Sequence, residues 1–250
     1  MNPSISPVPS GVAETLFISD LHLDPERPAL IRLVERFLAG RAANAEALYI
    51  LGDLFEYWIG DDTPSAGLEI VIHALHELSA GGVPVYFMAG NRDFLVGETF
   101  AAQTGCKLLR DPTLIELYGV PTLLMHGDTL CTDDHAYQAL RHQLRHPQWQ
   151  SEFLSLPVEK RQAQALALRE QSRQATQSKR EEIMDANPQA VASAMREHGA
   201  LRLIHGHTHR PAIHRFSLDD RDVQRIVLGD WYVHGSVLSA TPSGLTLETL

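Results

Sequence analysis

The 250-residue sequence predicts an α/β fold whose helix-flanked sheet is interrupted by a long helical insertion. Over the first hundred residues, short apolar strands alternate with helical patterns, which is typical of a sheet packed with helices. Residues 134–198 show no strand pattern and favour helix, and short strands resume after them. The core is therefore predicted at residues 14–133 and 199–250, with the insertion between them and a flexible tail at residues 1–13.

A local sequence pattern predicts each strand and helix in residues 15–104. Three short apolar runs, each followed by polar residues, predict buried strands. They lie at residues 15–19, 47–51 and 84–88. Apolar residues at helical spacing predict three helices, and glycines follow the last two of them. These helices lie at residues 28–38, 68–80 and 94–104.

The pattern changes in the second part of the chain. A hairpin is predicted in which Tyr118-Gly119-Val120-Pro121 connects strands at residues 114–117 and 122–125. Beyond the insertion, five further short runs predict strands. They lie at residues 201–204, 212–216, 223–228, 237–239 and 245–249.

Composition and charge narrow the class of protein. The formal net charge of -10 disfavours nucleic acid as a partner, so an anionic substrate has to be met by metal or a local basic patch. No apolar run is long enough for a transmembrane helix, and residues 1–13 lack a signal-peptide pattern. The two cysteines, Cys106 and Cys131, form no disulfide framework and favour a reducing cytoplasm.

Five polar motifs each follow a predicted strand. They are Asp20-Leu21-His22, Gly52-Asp53, Gly90-Asn91-Arg92-Asp93, His126-Gly127-Asp128 and His205-Gly206-His207-Thr208-His209. In open α/β sheets, ligands bind at the carboxyl ends of strands, so all five can converge on one site. Taken singly most of these motifs are weak, because a Gly-Asp after a strand is usually a turn or a helix cap, whereas Gly-His-x-His is moderately specific. All five in this order, each at a strand end, are hard to obtain by accident.

The donor atoms in these motifs suit hard or borderline divalent ions. Asp, Asn and His offer oxygen and imidazole nitrogen without thiolate, which suits Mn²⁺, Fe²⁺ or Zn²⁺ better than a structural zinc cage. Seven donors exceed one tetrahedral site and fit two ions about 3.5–4 Å apart that share a carboxylate.

The order of the motifs resembles that of the calcineurin-like metallophosphoesterases. The resemblance implies a two-sheet sandwich flanked by helices, with a dinuclear metal centre at the strand ends. One ion is then held by Asp20, His22, Asp53 and His209. The other is held by Asp53, Asn91, His126 and His207, with Asp53 as the bridge. Asp128 is expected to support the site rather than to bind metal.

Arg92 departs from that family, many of whose members have His at this position to help protonate the leaving oxygen. Arginine is a permanent cation and cannot act as a general acid at neutral pH, but its guanidinium can grip phosphate oxygens. A leaving group that is itself a phosphate needs little protonation. Arg92 therefore favours cleavage of a pyrophosphate over cleavage of an ordinary ester.

Longer strings resemble the UDP-2,3-diacylglucosamine hydrolases of lipid A synthesis. They are ALYILGDLFEYWIGDD, AGNRDFLVG, MHGDTLCTDDHAYQ and LIHGHTHRPAIH, with S-x-x-x-T-x-x-K and IMDAN in the insertion. The resemblance implies attack on the α-phosphorus of UDP-2,3-diacylglucosamine, which releases UMP and 2,3-diacylglucosamine 1-phosphate. It also implies two Mn²⁺ ions per chain and a peripheral location on the cytoplasmic face of the inner membrane. No nucleic acid and no obligate protein partner are expected.

The same resemblance assigns residue roles. Catalytic roles fall to Asp53, Asn91, Arg92, His126 and His207. Substrate contacts are expected at Asn91, Arg92, Asp134, Ser172, Thr176, Lys179 and His207. Thr176 stands where the family is expected to have Asn. Independently, Arg169, Ser172, Thr176 and Lys179 share one helix face, although such a stripe by itself favours a solvated surface.

The insertion also carries apolar residues bordered by Lys and Arg, as an interfacial helix does. Tyr137, Leu140 and Leu144 are expected merely to pack the insertion onto the core. Trp149 and Phe153, which lie between two prolines, are expected to be exposed or to line an acyl-chain chamber.

Rival functions stay open at this point. A nucleotide phosphodiesterase or a protein phosphatase on the same fold is disfavoured by Arg92 and the cationic insertion. Another metallophosphoesterase acting on a nucleotide diphosphate stays an alternative. A non-catalytic scaffold should lack some ligands, whereas all seven are present. Cys131 is expected to be a buried thiol. The residues after the second strand are expected to line the site or serve the structure; they are Glu56, Trp58, Asp61 and Asp62.

Overall fold

A computed structural model describes residues 13–63, 67–178 and 181–250, and gives the backbone alone for residues 173, 176–178, 181 and 182. Its strands are β1 (Thr15–Ile18), β2 (Ala47–Leu51), β3 (Val85–Met88), β4 (Lys107–Leu109), β5 (Thr113–Leu117), β6 (Val120–Met125), β7 (Arg202–His205), β8 (Ala212–Leu218), β9 (Arg221–Val227), β10 (Ser236–Thr241) and β11 (Gly244–Thr249). Its α-helices are α1 (Pro28–Ala39), α2 (Glu69–Ala80), α3 (Glu98–Thr104), α4 (His135–Leu144), α5 (Pro147–Leu154), α6 (Val158–Ser178) and α7 (Pro188–Glu197).

The strands form two sheets, which confirms the predicted α/β sandwich. The first has the order β11-β10-β1-β2-β3-β4, and the second has the order β5-β6-β7-β9-β8. β1 to β4 run parallel to one another, and so do β6, β7 and β9. The carboxyl ends of β1, β2 and β3 therefore share one edge of the first sheet, as those of β6 and β7 do in the second.

The period-two alternation of strand side chains builds the layers. In β1, Leu16 and Ile18 join the cluster formed with α1, α2 and α3, whereas Phe17 faces the second sheet. Phe17 meets Leu124 and Ile226 in the layer between the sheets. A third cluster packs α7 against the outer face of the second sheet. The core thus consists of two sheets with helices on both outer faces.

The structure differs from the sequence-based elements at two points. α3 begins at Glu98 rather than at residue 94, because the carboxylate of Asp61 accepts hydrogen bonds from the backbone N–H groups of Gly97, Thr99 and Phe100. A side chain distant in sequence therefore caps this helix, which local patterns cannot reveal. Strand β4 was not predicted, since its three residues are too few to show alternation.

The predicted insertion is helical, as expected. Its first three helices, α4 to α6, are held to loops of the core by arginines. Arg141 bonds Asp128, Arg145 donates to the carbonyl oxygen of Gly90, Arg161 donates to that of Ile59, and Arg169 bonds Glu56. Among the described residues, we find no helix that is both long and apolar enough to cross a bilayer.

Candidate metal centre

The seven predicted metal ligands lie in loops at the carboxyl ends of β1, β2, β3, β6 and β7. Five of them have a left-handed backbone, with φ between 48° and 68°. They are Asp20, His22, Asp53, His207 and His209. Non-glycine residues seldom adopt this conformation, and such strained positions cluster at functional sites. The folded core thus imposes unusual turns to aim these side chains at one point.

Close approach of the loops explains two glycines in the motifs. A Cβ atom added to Gly90 would lie 2.2 Å from Oδ1 of Asp53, and one added to Gly206 would lie 2.3 Å from Oδ2 of Asp20. No larger residue fits at either position without moving a predicted ligand. These glycines are therefore required by the spacing between neighbouring loops.

The first ligand group contains Asp20, His22 and His209. Oδ1 of Asp20 lies 3.3 Å from Nε2 of His209, which in turn lies 3.4 Å from Nε2 of His22. The other oxygen of Asp20 accepts hydrogen bonds from the Ser19 hydroxyl and the His207 backbone N–H. Oδ1 of Asp20 is buried without such a donor, as expected of an atom that faces a cation.

The second ligand group is built around His126. Its Nδ1 atom lies 2.9 Å from the carbonyl oxygen of Leu51, so the Nδ1 proton is donated there and Nε2 is left as the metal-facing atom. Oδ1 of Asn91 lies 2.9 Å from Nε2 of His126 and 2.8 Å from Nδ1 of His207. Three donor atoms of the predicted second site therefore converge.

Asp53 lies between the two groups. Its Oδ2 atom is 3.8 Å from Nε2 of His22, and its Oδ1 atom is 3.8 Å from Nε2 of His126. One oxygen therefore faces each group, which is the arrangement that a bridging carboxylate requires. The donor set, its burial and this geometry fit a pair of divalent ions.

The carboxylates give the centre a strong negative potential. Burial by itself lowers the pKa of His126, but the charges of Asp53, Asp128 and Asp20 outweigh burial and raise that pKa to about 9. A site that stabilises a positive charge on an imidazole in this way also attracts metal cations.

Asp93 has a supporting role that the sequence did not reveal. Its buried carboxylate accepts hydrogen bonds from the backbone N–H groups of Leu54 and Gly90, both at 2.7 Å. It thereby holds together the loops that carry Asp53 and Asn91. Burial and the nearby Asp53 charge raise the pKa of Asp93 to about 6. The sequence clue to this role is that Asp93 is the last residue of the Gly-Asn-Arg-Asp motif.

Asp128 also supports the site, through the insertion. Its Oδ2 atom accepts hydrogen bonds from the Tyr137 hydroxyl at 2.9 Å and from Nε of Arg141 at 2.6 Å. Burial opposes ionisation, but His126, His207 and Arg141 hold the pKa of Asp128 below its ordinary value. Asp128 therefore joins helix α4 to the loop that follows β6.

Two cavities meet at the centre. The polar cavity is bordered by His22, Asp53, His207 and His209. The apolar cavity is bordered by Leu140, Leu144, Trp149, Phe153, Ala165 and Leu168. Asn91, Arg92 and Arg169 border both cavities, so the polar and apolar spaces are contiguous.

The comparisons with known proteins agree with the geometry of the candidate metal centre. Residues 14–211 match the family model described as calcineurin-like phosphoesterase. The chain belongs to this family. It is 54% identical to a UDP-2,3-diacylglucosamine hydrolase of Xanthomonas axonopodis pv. citri and 53% identical to one of Stenotrophomonas maltophilia. Each alignment covers 94% of this chain and 98% of the relative, so the predicted resemblance is confirmed.

A solved archaeal phosphodiesterase is a far more distant phosphoesterase. It shares 14% identity with this chain, with a TM-score of 0.46, and the match covers 95% of this chain and 99% of that one. An identity of 14% and a TM-score of 0.46 carry no information about the substrate of this chain.

The predicted substrate-binding residues can be placed only in part. Asn91, Arg92 and Ser172 border both cavities, while Asp134 and His207 border the polar one. Asp134 also caps α4, because its side chain accepts a hydrogen bond from the backbone N–H of Tyr137. The remaining two positions, the Thr176 side chain and Lys179, lie outside the described residues.

The apolar residues of the insertion line the cavity. Tyr137, Leu140 and Leu144 were expected merely to pack the insertion onto the core, but all three border the cavity. Tyr137 also contacts the core as expected, through its hydrogen bond to Asp128. α4 has no buried residue. Trp149 and Phe153 stack with ring centroids 4.9 Å apart and border the same cavity, which matches the chamber alternative.

The residues after β2 serve different purposes. Asp61 caps α3, and Asp62 forms an ion pair with Arg161. Trp58 is buried beside Phe100 and also borders the apolar cavity. Cys131 is a buried free thiol, as expected, and burial raises its pKa to about 12.

Proposed function

We propose that this phosphoesterase hydrolyses UDP-2,3-diacylglucosamine at its α-phosphorus, giving UMP and 2,3-diacylglucosamine 1-phosphate. The relatives that are 54% identical carry the name of that activity. The observation that carries the proposal is the continuity of an apolar cavity with a polar one that is bordered by predicted metal ligands. Five of the seven predicted ligands form candidate ion-binding groups. A substrate with acyl chains at one end and a pyrophosphate at the other needs both environments side by side.

We propose two Mn²⁺ ions as the cofactor. One is held by Asp20, His22, Asp53 and His209, and the other by Asp53 with the residues of the second group, namely Asn91, His126 and His207. Oxygen and imidazole donors suit Mn²⁺. When bound, such a pair of ions supplies an activated water and neutralises charge on the phosphoryl oxygens. The chain's own part would be to orient the four imidazoles and both oxygens of Asp53 toward the two ion sites.

Arg92 has the role of holding phosphate. It borders both cavities, and its Nε atom is buried without a hydrogen-bond partner among the described residues. A guanidinium so placed can donate to phosphate oxygens as negative charge moves to the leaving group. Water forms the new bond to the α-phosphorus, and the bond to the bridging oxygen breaks. The bridging oxygen leaves with the β-phosphate, which needs little protonation.

The insertion would receive the diacylglucosamine part of the substrate. Trp149, Phe153 and Leu168 offer an apolar wall for the acyl chains, next to the arginines that border the phosphate region. Ser172 and Asp134 are proposed to contact the sugar and phosphate, as are Asn91 and His207. The same roles for Thr176 and Lys179 rest on the sequence resemblance alone. We propose that residues 134–198 form a cap on the core of residues 14–133 and 199–250.

A peripheral position on the cytoplasmic face of the inner membrane follows from this substrate. The acyl chains start in a bilayer, so the opening of the apolar cavity has to reach the membrane surface. Lys and Arg in the insertion suit contact with anionic lipid, each adding about 1 kcal/mol near such a surface. No nucleic acid and no obligate protein partner are part of the proposal.

The reaction itself can be tested in ¹⁸O-labelled water. The protein is stripped with EDTA, reloaded with Mn²⁺, Mg²⁺ or Zn²⁺, and incubated with UDP-2,3-diacylglucosamine. We expect Mn²⁺ to restore the highest rate, with the label in UMP as measured by mass spectrometry. Label in the sugar phosphate would place the attack on the β-phosphorus. Full activity after stripping would overturn the two-metal proposal, and comparable turnover of a sugar nucleotide without acyl chains would overturn the lipid substrate.

A further inference from the structure

We propose that Glu56 is a positioning residue that orients His22 toward the metal centre and couples it, through Arg169, to cap helix α6. The proposal rests on the two-metal function argued above. It adds a residue to which neither the sequence motifs nor the names of the relatives give a role. It also gives the cap a physical connection to one metal ligand.

The backbone places Glu56 beside His22. The segment that follows β1 and the segment that follows β2 run together as a short parallel bridge between Leu23 and Phe55. The His22 N–H donates to the carbonyl oxygen of Asp53, and the Glu56 N–H donates to that of Leu23, at 2.9 Å and 3.0 Å. These bonds bring the carboxylate of Glu56 into register with the imidazole of His22.

The His22 ring is oriented by contacts on more than one side. Nδ1 lies 3.2 Å from Oε2 of Glu56, whereas Nε2 faces Oδ2 of Asp53 and Nε2 of His209. The Tyr232 ring stacks on it, with centroids 5.2 Å apart and planes 5° from parallel. The contact between Nδ1 and Glu56 is electrostatic, since Nδ1 has no hydrogen-bond partner among the described residues. A negative charge beside Nδ1 favours the proton on that nitrogen, which leaves the Nε2 lone pair for metal. Glu56 therefore favours this tautomer, and Tyr232 restrains the ring plane.

The other oxygen of Glu56 reaches the cap. Oε1 lies 2.7 Å from Nε of Arg169 on α6, and Arg169 borders both cavities. Both Glu56 and His22 are buried, whereas Arg169 is partly exposed. The buried carboxylate of Glu56 thus contacts both Arg169, which borders the two cavities, and His22, which is a proposed metal ligand. A chain of direct contacts of this kind can carry coupling in both directions.

The chain offers a matched control for this role. Asp24 is the second carboxylate near Arg169, with its Oδ2 atom 3.6 Å from Nη1. Glu56→Gln keeps the shape of the side chain and removes the charge beside His22. Asp24→Asn removes the other charge beside Arg169 and leaves the contact between Glu56 and His22 in place.

The first measurement is a Mn²⁺ titration followed by the EPR signal of free Mn²⁺. We expect Glu56→Gln to weaken one of two sites by about 10–100-fold, the usual effect of losing the carboxylate partner of a ligating histidine. Glu56→Asp should fall between Glu56→Gln and the unmodified protein. Asp24→Asn should bind Mn²⁺ as the unmodified protein does. Unchanged affinity in Glu56→Gln, or an equal loss in Asp24→Asn, overturns the positioning role.

The second measurement tests the connection to the cap. Hydrogen exchange is measured without Mn²⁺ and again at saturating Mn²⁺, in peptides around Arg169 and around Asp53. In the unmodified protein and in Asp24→Asn, we expect Mn²⁺ to slow exchange in both. In Glu56→Gln, the slowing should persist around Asp53 and disappear around Arg169. If Mn²⁺ slows exchange around Arg169 equally in Glu56→Gln and in the unmodified protein, the coupling is overturned.

These outcomes separate the inference from the function beneath it. If the unmodified protein binds fewer than two Mn²⁺ ions, the proposed metal centre itself fails. If it binds two and Glu56→Gln binds them equally well, only the role of Glu56 fails. Thermal unfolding of each variant in EDTA identifies a general loss of fold, which a change in metal affinity alone does not cause.

Discussion

The metal-ligand loops and the cap helices hold their functional side chains in different ways. In the loops, five of the seven predicted ligands have a left-handed backbone, and buried carboxylates such as Asp93 hold the loops together. In the cap, α4 has no buried residue, and its arginines Arg141 and Arg145 reach across to the core. The candidate metal centre is thus fixed by the backbone, while the apolar cavity depends on side-chain contacts.

This difference shows how one chain can hold metal ligands in exact positions and still leave a cavity open to a large substrate. Ions that share a carboxylate tolerate little movement of their ligands, so the ligands belong on the rigid ends of parallel strands. Acyl chains lack directional contacts and accept a flexible apolar wall. We therefore expect substitutions in the loops to remove turnover and metal together. Substitutions in the cap should change substrate affinity while the metal stays bound.

The largest effect is expected for Asp53→Ala. Because each oxygen of Asp53 faces one ligand group, its loss should release both ions and lower kcat by about 10³-fold or more. Metal content by inductively coupled plasma mass spectrometry and the rate of UMP release are measured on the same sample. Asp219→Ala, an exposed carboxylate paired with Arg196, is the control. Two bound ions in Asp53→Ala would contradict the bridging role.

Arg92→Ala should cause the next largest loss, without loss of metal. Loss of a charge-assisted contact to the transferring phosphoryl group lowers kcat by about 10²–10³-fold. The unfolding temperature should stay close to that of the unmodified protein, because Arg92 is only half-buried. Arg110→Ala, an exposed arginine, is the matched control. Activity restored by Arg92→His would show that a general acid is needed there after all.

A smaller effect is expected in the cap. Replacing both Trp149 and Phe153 with alanine removes two stacked rings from the apolar cavity, and should raise KM for the lipid about tenfold or weaken binding to anionic vesicles. Metal content should be unchanged. Leu114→Ala, an exposed apolar residue of β5, is the control. Unchanged KM and unchanged vesicle binding would show that both rings serve only to pack the cap.

The smallest effect is expected at Cys131, although it borders the polar cavity. Burial raises the pKa of its thiol to about 12, so roughly one molecule in 10⁴ carries a thiolate at pH 8. Treatment with iodoacetamide at that pH should leave Cys131 unmodified and activity unchanged, as followed by peptide mass spectrometry. Rapid alkylation with parallel loss of activity would reopen a catalytic role for this thiol.

The sequence by itself determined the fold class and the motifs that form the candidate metal centre. A buried strand shows in the sequence as a short apolar run, and a ligand that follows it directly is recognisable by its place. Asp20, Asp53, Asn91, His126 and His207 were all predicted in this way. The reason is that each signal is local, since strand and ligand lie within a few residues of one another.

Only the tertiary structure decided the contacts that join distant segments. Asp61 caps α3, Asp93 holds two loops, Glu56 faces His22, and the apolar side chains of α4 line a cavity. Apolar spacing shows that a helix has an apolar face, but it cannot show whether that face meets a protein surface or an open space. Likewise, an acidic residue in a loop has the same local signature whether it caps a helix, orients a histidine or stays in solvent. Those outcomes depend on which loops the fold brings within a few ångströms of one another.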